Sequence, residues 1–239
     1  CGILFETVEL PIDPNHHVGT DYVWHPADDG TYYYSCAGCG EKFADMTGAP
    51  VVYIDGVNGD DANDGLTDAT EVKTLEEAVK RLSEVGGTVY FTARVNVTDN
   101  ITLPAYAKPI TFTGTTDALG NANAGFVIQK NDAVLTLGGE TILDSFVFKA
   151  EGGANLIISA DWNDVTFGYI RVHNNATVGL YAGNYTVAAD DTETKSSVIN
   201  LHGAVITSDC AGGHVFYKHF QLLLGYLAVG GVGGEVQVV

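Results

Sequence analysis

Two groups of residues in this chain have types and spacing that suit metal chemistry. The first is Cys36-Ala37-Gly38-Cys39-Gly40, a Cys-x-x-Cys knuckle closed by glycine, with His16, His17 and His25 upstream beside Tyr22 and Trp24. Structural zinc takes four tetrahedral thiolate and imidazole ligands. Cys36, Cys39 and two of the three histidines make such a set. The alternatives are a Cys36–Cys39 disulfide in an oxidising compartment, or two free thiols. A thioredoxin-type redox pair needs βαβ surroundings, which this segment does not offer. The second group is Asp55, Asn58, Asp60, Asp61, Asn63 and Asp64, six oxygen-bearing side chains within ten residues. Calcium takes hard oxygen ligands at this density. The EF-hand order is not kept: counted from Asp61, Leu66 stands where glycine is required and Val72 where the bidentate acid belongs. The alternative is a glycine-rich turn whose Asx side chains bond their own backbone.

A third chemistry, on carbohydrate, has weaker support. Lyases need a base beside an acidified C–H, and glycosidases need two carboxylates facing one cleft. Asp144, Asp161 and Asp164 are the available acids, with Lys149, Arg171 and His173 near them in sequence. None forms a recognisable motif. Asp161-Trp162-Asn163-Asp164 reads as a turn between strands at 156–159 and 165–167. No catalytic residue is assigned. Strand side chains alternate in and out, so Lys149 and Arg171 are free to face different sides, which ranks catalysis second. No phosphate loop, nucleophile elbow or dinucleotide fingerprint is present in the sequence.

The elements that must position these residues follow from composition and period. The chain has 239 residues with 29 glycines, and Thr, Val, Ile and Tyr outweigh long helix-forming stretches. That balance favours strands and tight turns. Thirty acidic residues against eleven basic ones give a formal charge of −19. Such a surface repels phosphate backbones and excludes nucleic acid as a partner. The basic residues are scattered, and no run of about 18 apolar residues suggests a transmembrane segment.

One helix stands out over 74–85. Thr74 and Glu77 form a capping-box pattern. Leu75, Ala78, Val79 and Leu82 fall on one face, Glu76–Lys80 and Glu77–Arg81 are i,i+4 pairs, and Gly86-Gly87 ends the run. After it, short strands recur. Val134-Leu135-Thr136-Leu137-Gly138 is echoed by Val165-Thr166-Phe167-Gly168 and Val198-Ile199-Asn200-Leu201, starting 31 and 33 residues on. Phe126-Val127-Ile128 is echoed by Leu156-Ile157-Ile158 and Thr186-Val187-Ala188, each 30 on. Phe146-Val147-Phe148 is matched by Ala176-Thr177-Val178 and Val205-Ile206. A shared period means stacked units around a common core. The expected fold is therefore all-β: a right-handed parallel β-helix with rungs of about 30 residues, an N-terminal capping α-helix and a small N-terminal Cys/His module. The division is 1–50 for the segment with the zinc knuckle and 51–239 for the β-helix. Within the latter, 51–87 is the cap, 88–208 the rungs and 209–239 a tail that fits no rung.

Tyr53-Ile54-Asp55-Gly56, Asn63-Asp64-Gly65-Leu66-Thr67, Lys73-Thr74-Leu75 and Gly86-Gly87-Thr88-Val89-Tyr90 together resemble the N-terminal cap of pectate-lyase-like β-helix proteins. Leu137-Gly138-Gly139-Glu140-Thr141 with Asp144-Ser145-Phe146 is similar to rungs of adhesin-like surface proteins of anaerobic bacteria. The Cys36 to Gly40 segment resembles short His…Trp…Cys-x-x-Cys-Gly modules of bacterial surface proteins. The β-helix resemblance covers roughly 50–205. It implies an extracellular or cell-surface, non-catalytic adhesin-like or structural role, with glycans or other surface proteins as partners. The rivals are a polysaccharide lyase or glycoside hydrolase, and a subunit that self-associates by stacking end to end. Cys1-Gly2 also permits a lipidated N-terminal cysteine, but Ile3-Leu4-Phe5 follows where a flexible polar tether is expected, so lipid anchoring is not the favoured reading.

Overall fold

A computed structural model of the protein describes residues 22–27, 32–36, 40, 42–46, 49–116, 122–150, 152–168, 170–173, 176–187, 193–194, 198–202 and 205–208. The N-terminal part forms a three-stranded antiparallel sheet of β1 (Tyr22–Pro26), β2 (Tyr32–Cys36) and β3 (Lys42–Met46). The sequence alone suggested a Cys/His module here and no sheet. Trp24, at 3% exposure, joins this sheet to the main core, with Tyr32 and Tyr34 packed beside it. The expected tail, 209–239, lies outside the described residues.

Strand β4 (Val51–Ile54) precedes the acidic loop and helix α1 (Leu75–Leu82). Leu75, Ala78, Val79 and Leu82 are all fully or almost fully buried, as the 3.6-residue spacing predicts. The capping box forms only in half. Thr74 Oγ1 accepts from Glu77 N at 3.3 Å, but Thr74 N donates to Asp61 Oδ1 at 2.8 Å and not to Glu77. Glu77 instead holds Arg81 Nε at 2.9 Å and Lys80 Nζ at 3.2 Å. Arg81 is buried, and a carboxylate beside a buried guanidinium is a stronger partner than a terminal amide. Replacing Leu82, which has no exposure, with Ala should cost about 2–5 kcal/mol in a urea melt.

From Gly87 the chain winds through three strands per turn. The first turn is β5 (Gly87–Phe91), β6 (Val95–Val97) and β7 (Ile101–Thr102). The second is β8 (Ile110–Gly114), β9 (Gly125–Ile128) and β10 (Ala133–Thr136). The third is β11 (Thr141–Leu143), β12 (Phe146–Ala150) and β13 (Asn155–Ser159). The fourth is β14 (Asp164–Phe167), β15 (Ile170–His173) and β16 (Thr177–Tyr181). Then come β17 (Asn184–Val187), β18 (Glu193–Thr194), β19 (Val198–His202) and β20 (Val205–Ser208). The strands stack into three sheets, ordered β4-β5-β8-β11-β14-β17-β20, β6-β9-β12-β15-β18 and β7-β10-β13-β16-β19. Every pairing in them is parallel. The described residues are thus all-β, of mostly parallel strands in stacked sheets with one short helix among them, an arrangement consistent with a β-helix.

The expected 30-residue rung is not what the register shows. Gly87 lies beside Ile110, then Thr141, Val165, Tyr185 and Ile206 in succession, so the turns take 23, 31, 24, 20 and 21 residues. The one long turn carries residues 115–124 between β8 and β9. The apparent period links strands that are mostly four apart in chain order. Phe126, Leu156 and Thr186 sit on β9, β13 and β17, in three different sheets. Three strands make a turn, so four make a turn and a third.

Inward-facing side chains fill the coil with Val, Ile, Leu and a group of phenylalanines. Phe91, Phe112, Phe126, Phe146 and Phe148 are all buried, with ring centroids 5.0–6.1 Å apart. Tyr106 and Thr141, both buried, bond through their hydroxyls, which meets the polar needs of both inside the core.

Candidate functional site

Cys36 ends β2 opposite Tyr22, and His25 lies on β1 opposite Tyr33. Both ring nitrogens of His25 are engaged: Nδ1 is 3.1 Å from Glu84 Oε2 and Nε2 is 2.9 Å from Ser35 Oγ. Its ring stacks on Tyr33 at 5.2 Å. His25 thereby ties the N-terminal sheet to the residues just after α1. His16, His17 and Cys39, the other expected zinc ligands, lie outside the described residues.

The six acidic-loop residues are brought together by turns, and the side-chain hydrogen bonds of Asp55, Asn58, Asp60, Asn63 and Asp64 run to residues within 55–71. Asp55 Oδ1 accepts from the amides of Val57 and Asn58 at 2.7 and 2.8 Å. Burial alone would push the Asp55 carboxyl up, but those amides, the Asn58 side chain and the charge of Lys73 hold it below the ordinary value. Asp60 Oδ1 accepts from Ala62 N, Asp64 Oδ1 from Leu66 N and Thr70 Oγ1, and Asn63 Nδ2 donates to Glu71 O. Asp61 reaches furthest. Its carboxylate accepts from Lys73 N, Thr74 N and Thr74 Oγ1, and its carbonyl accepts from Arg81 Nη2. A carboxylate at the first turn of α1 also meets the positive end of the helix dipole. Among the described residues, no three His, Cys, Asp or Glu side chains gather into a group able to hold a metal ion.

The residues considered for carbohydrate chemistry fall in two places. On β12, Phe146, Phe148 and Ala150 are buried, and on β15 so are Ile170 and Val172. Lys149 and Arg171, which alternate with these, therefore face outward together, and His173 stands beside Lys149 in register. The expectation that Lys149 and Arg171 could face different sides is corrected by this register. Arg94, just before β6, is near enough that burial and then the charge of Arg171 push its guanidinium below the usual range. Asp161 and Asp164 lie elsewhere, at the corner between β13 and β14, where the expected turn is found. That corner joins the two sheets that do not contain β12 and β15. Asp161 and Asp164 are therefore not on the sheet that carries Lys149 and Arg171. Asp144 precedes β12 at another corner, its amide bonded to Phe112 O at 3.0 Å.

The corner at Asp161 holds a feature that sequence reading missed. Trp162 is 73% exposed. A tryptophan is usually read as core, and the one available signal was its place among turn-forming Asp and Asn residues. Beneath the same corner, Tyr185 is buried and stacks on Phe167 at 5.8 Å. Its O–H faces the carbonyls of Ile158 at 3.1 Å and Tyr181 at 2.9 Å. Burial raises its phenol well above the ordinary 10.0, against the lowering effect of backbone hydrogen bonds. The folded state therefore holds this proton more tightly than the unfolded chain does. The resulting stability is complete below pH 10.0 and falls as pH rises toward the folded value. Tyr185→Phe should flatten the alkaline limb of a stability-against-pH curve.

Among the described residues, no helix is long and apolar enough to cross a membrane. Comparison with known proteins finds no family model, no curated protein and no solved structure that matches this chain.

Proposed function

We propose that this chain is part of a secreted or cell-surface protein, a non-catalytic, adhesin-like rod of the pectate-lyase-like right-handed β-helix kind that presents glycan-facing turns. In this reading α1 and the acidic loop cap its N-terminal end. The observation that carries it is the use made of polar side chains at the corners of the coil. Asn100 Oδ1 accepts from Val134 N at 3.1 Å, Asn131 Oδ1 from Asn155 N at 2.9 Å, and Asp164 Oδ1 from Asn184 Nδ2 at 2.9 Å. These groups join one turn of the coil to the next, so they serve stiffness and leave function to whatever the corners project. A rigid, acidic scaffold suits display at a surface.

The test is a panel of pectins, alginates and plant and host glycans, assayed for binding and for product. Binding without new reducing ends or unsaturated products is expected. Product formation lost on Lys149→Ala or Arg171→Ala would replace this reading with the lyase or hydrolase. That second reading draws on the shared outward face of these two residues and on Arg171 Nε, which is buried and has no hydrogen-bond partner among the described residues.

The N-terminal module belongs to the same proposal as a stabilising zinc knuckle of Cys36, Cys39, His16 and His17, a set that leaves His25 its bonds to Glu84 and Ser35. Elemental analysis should return one zinc per chain, and a chelator should loosen residues 15–45 while sparing the coil. A Cys36–Cys39 disulfide in the mass spectrum would remove the knuckle.

A further inference from the structure

Trp162 is the wrong residue for its backbone. The turn closes with Asn163 N donating to Ala160 O at 2.9 Å, and Asp161 and Trp162 both have positive φ, +48° and +65°. This is the pattern of a type I′ turn, in which Asn or Asp and then Gly are the inexpensive choices. Asp161 obeys that rule and Trp162 does not. Holding a bulky residue there costs on the order of 1–3 kcal/mol. Burial does not repay this cost, because the indole is 73% exposed while the chain's other tryptophan, Trp24, is 3% exposed.

The turn is also held rigid. Trp162 N donates to Ala182 O at 2.7 Å, and Ala182 itself sits at φ +42° on the next turn of the coil. Asn163 Nδ2 donates to Ala160 O at 2.7 Å, and Asn184 Nδ2 ties down Asp164. An exposed aromatic ring on a stiff support meets much of the ordering cost of binding in advance.

Charge selects the occupant. Asp161, one residue before Trp162, and Asp164, two residues after it, are both exposed, in a chain of formal charge −19. Anionic ligands are repelled there. A protonated amine gains attraction to the indole face and to the carboxylates. A lysine side chain would satisfy the charge, but it loses up to about 2 kcal/mol of rotamer entropy when fixed. A pyranose ring is already rigid, and its apolar C–H face matches a flat indole. Resting on the glycan-facing reading above, we propose that the Asp161–Trp162 turn is a binding platform for amino sugars that carry a free ammonium group.

The experiment is a tryptophan-fluorescence titration of the whole chain with glucosamine oligomers, run beside N-acetylglucosamine oligomers, galacturonate oligomers and oligolysine. Glucosamine oligomers should shift and protect the exposed emission. Their affinity should fall at least tenfold in Trp162→Gly, and severalfold in Asp161→Asn and in Asp164→Asn. Trp162→Gly should melt at a higher temperature than the parent, since it removes the strained side chain and no core. Equal affinity for the acetylated oligomers, or for oligolysine, would overturn the assignment to amino sugars. Undiminished glucosamine binding by Trp162→Gly would overturn the platform while leaving the glycan-facing reading intact. Absence of binding to every glycan, here and on the wider panel, would overturn both.

Discussion

Gly125→Ala should destabilise the coil by more than about 4 kcal/mol, among the largest effects a single added methyl group can have. Two independent demands meet at this glycine. Its φ is +150°, a backbone region that L side chains rarely adopt. A Cβ there would also lie 1.9 Å from Val147 O and 2.7 Å from Val147 N. Those are backbone atoms of the adjoining strand, and they cannot swing aside as a side-chain end could. Val147 N donates to Ala124 O at 2.8 Å, so moving β12 away would break the ladder where the 115–124 segment returns to the coil. Gly152→Ala is the matched control. Gly152 also has positive φ, +82°, but a Cβ would meet nothing within 4 Å. It should cost only about 1 kcal/mol, from backbone preference alone. Urea denaturation of the two variants separates steric exclusion from conformational preference. Similar losses in both would show that the close approach to Val147 is not what fixes this glycine.

What could be read from the sequence divides along the range of the interactions. The helix was legible because its evidence is local: Thr74 as cap and Leu75, Ala78, Val79 and Leu82 on one face. The turn at Asp161 to Asp164 was legible for the same reason. The vertical register was not. Strands such as Val134–Thr136 and Val165–Phe167 are alike in pattern, and a parallel sheet accepts either as a neighbour. The true partner of Val134 is Ile157, set by how many residues each corner consumes. The role of Asp61 was equally hidden. Its carboxylate meets Lys73 and Thr74, twelve and thirteen residues later in the chain, so the oxygen-rich cluster also holds a latch on a helix end. The exposure of Trp162 was concealed by residue type, since hydrophobicity argues for burial and only the turn argues against it.

The second large effect lies in the aromatic core. Phe146→Ala should cost about 3–5 kcal/mol from lost burial and the cavity left behind. Phe146 has no exposure and contacts three other rings: Phe91 at 5.1 Å, Phe126 at 5.0 Å and Phe148 at 5.5 Å. The three contacts lie at 64–84° between ring planes, the edge-to-face arrangement in which aromatic pairs gain roughly 0.5–1.5 kcal/mol beyond burial. These rings come from β5, β9 and β12, so Phe146 joins two sheets and three successive turns of the coil. Collapse of the site is resisted because each neighbouring ring is fixed by its own strand pairing. Phe146→Leu keeps most of the volume and should lose less than half as much. A double-mutant cycle with Phe126→Ala should then reveal coupling, because both single changes remove the same edge-to-face contact. Strict additivity in that cycle would mean the rings are independent fillers, and the loss at Phe146 would be burial alone.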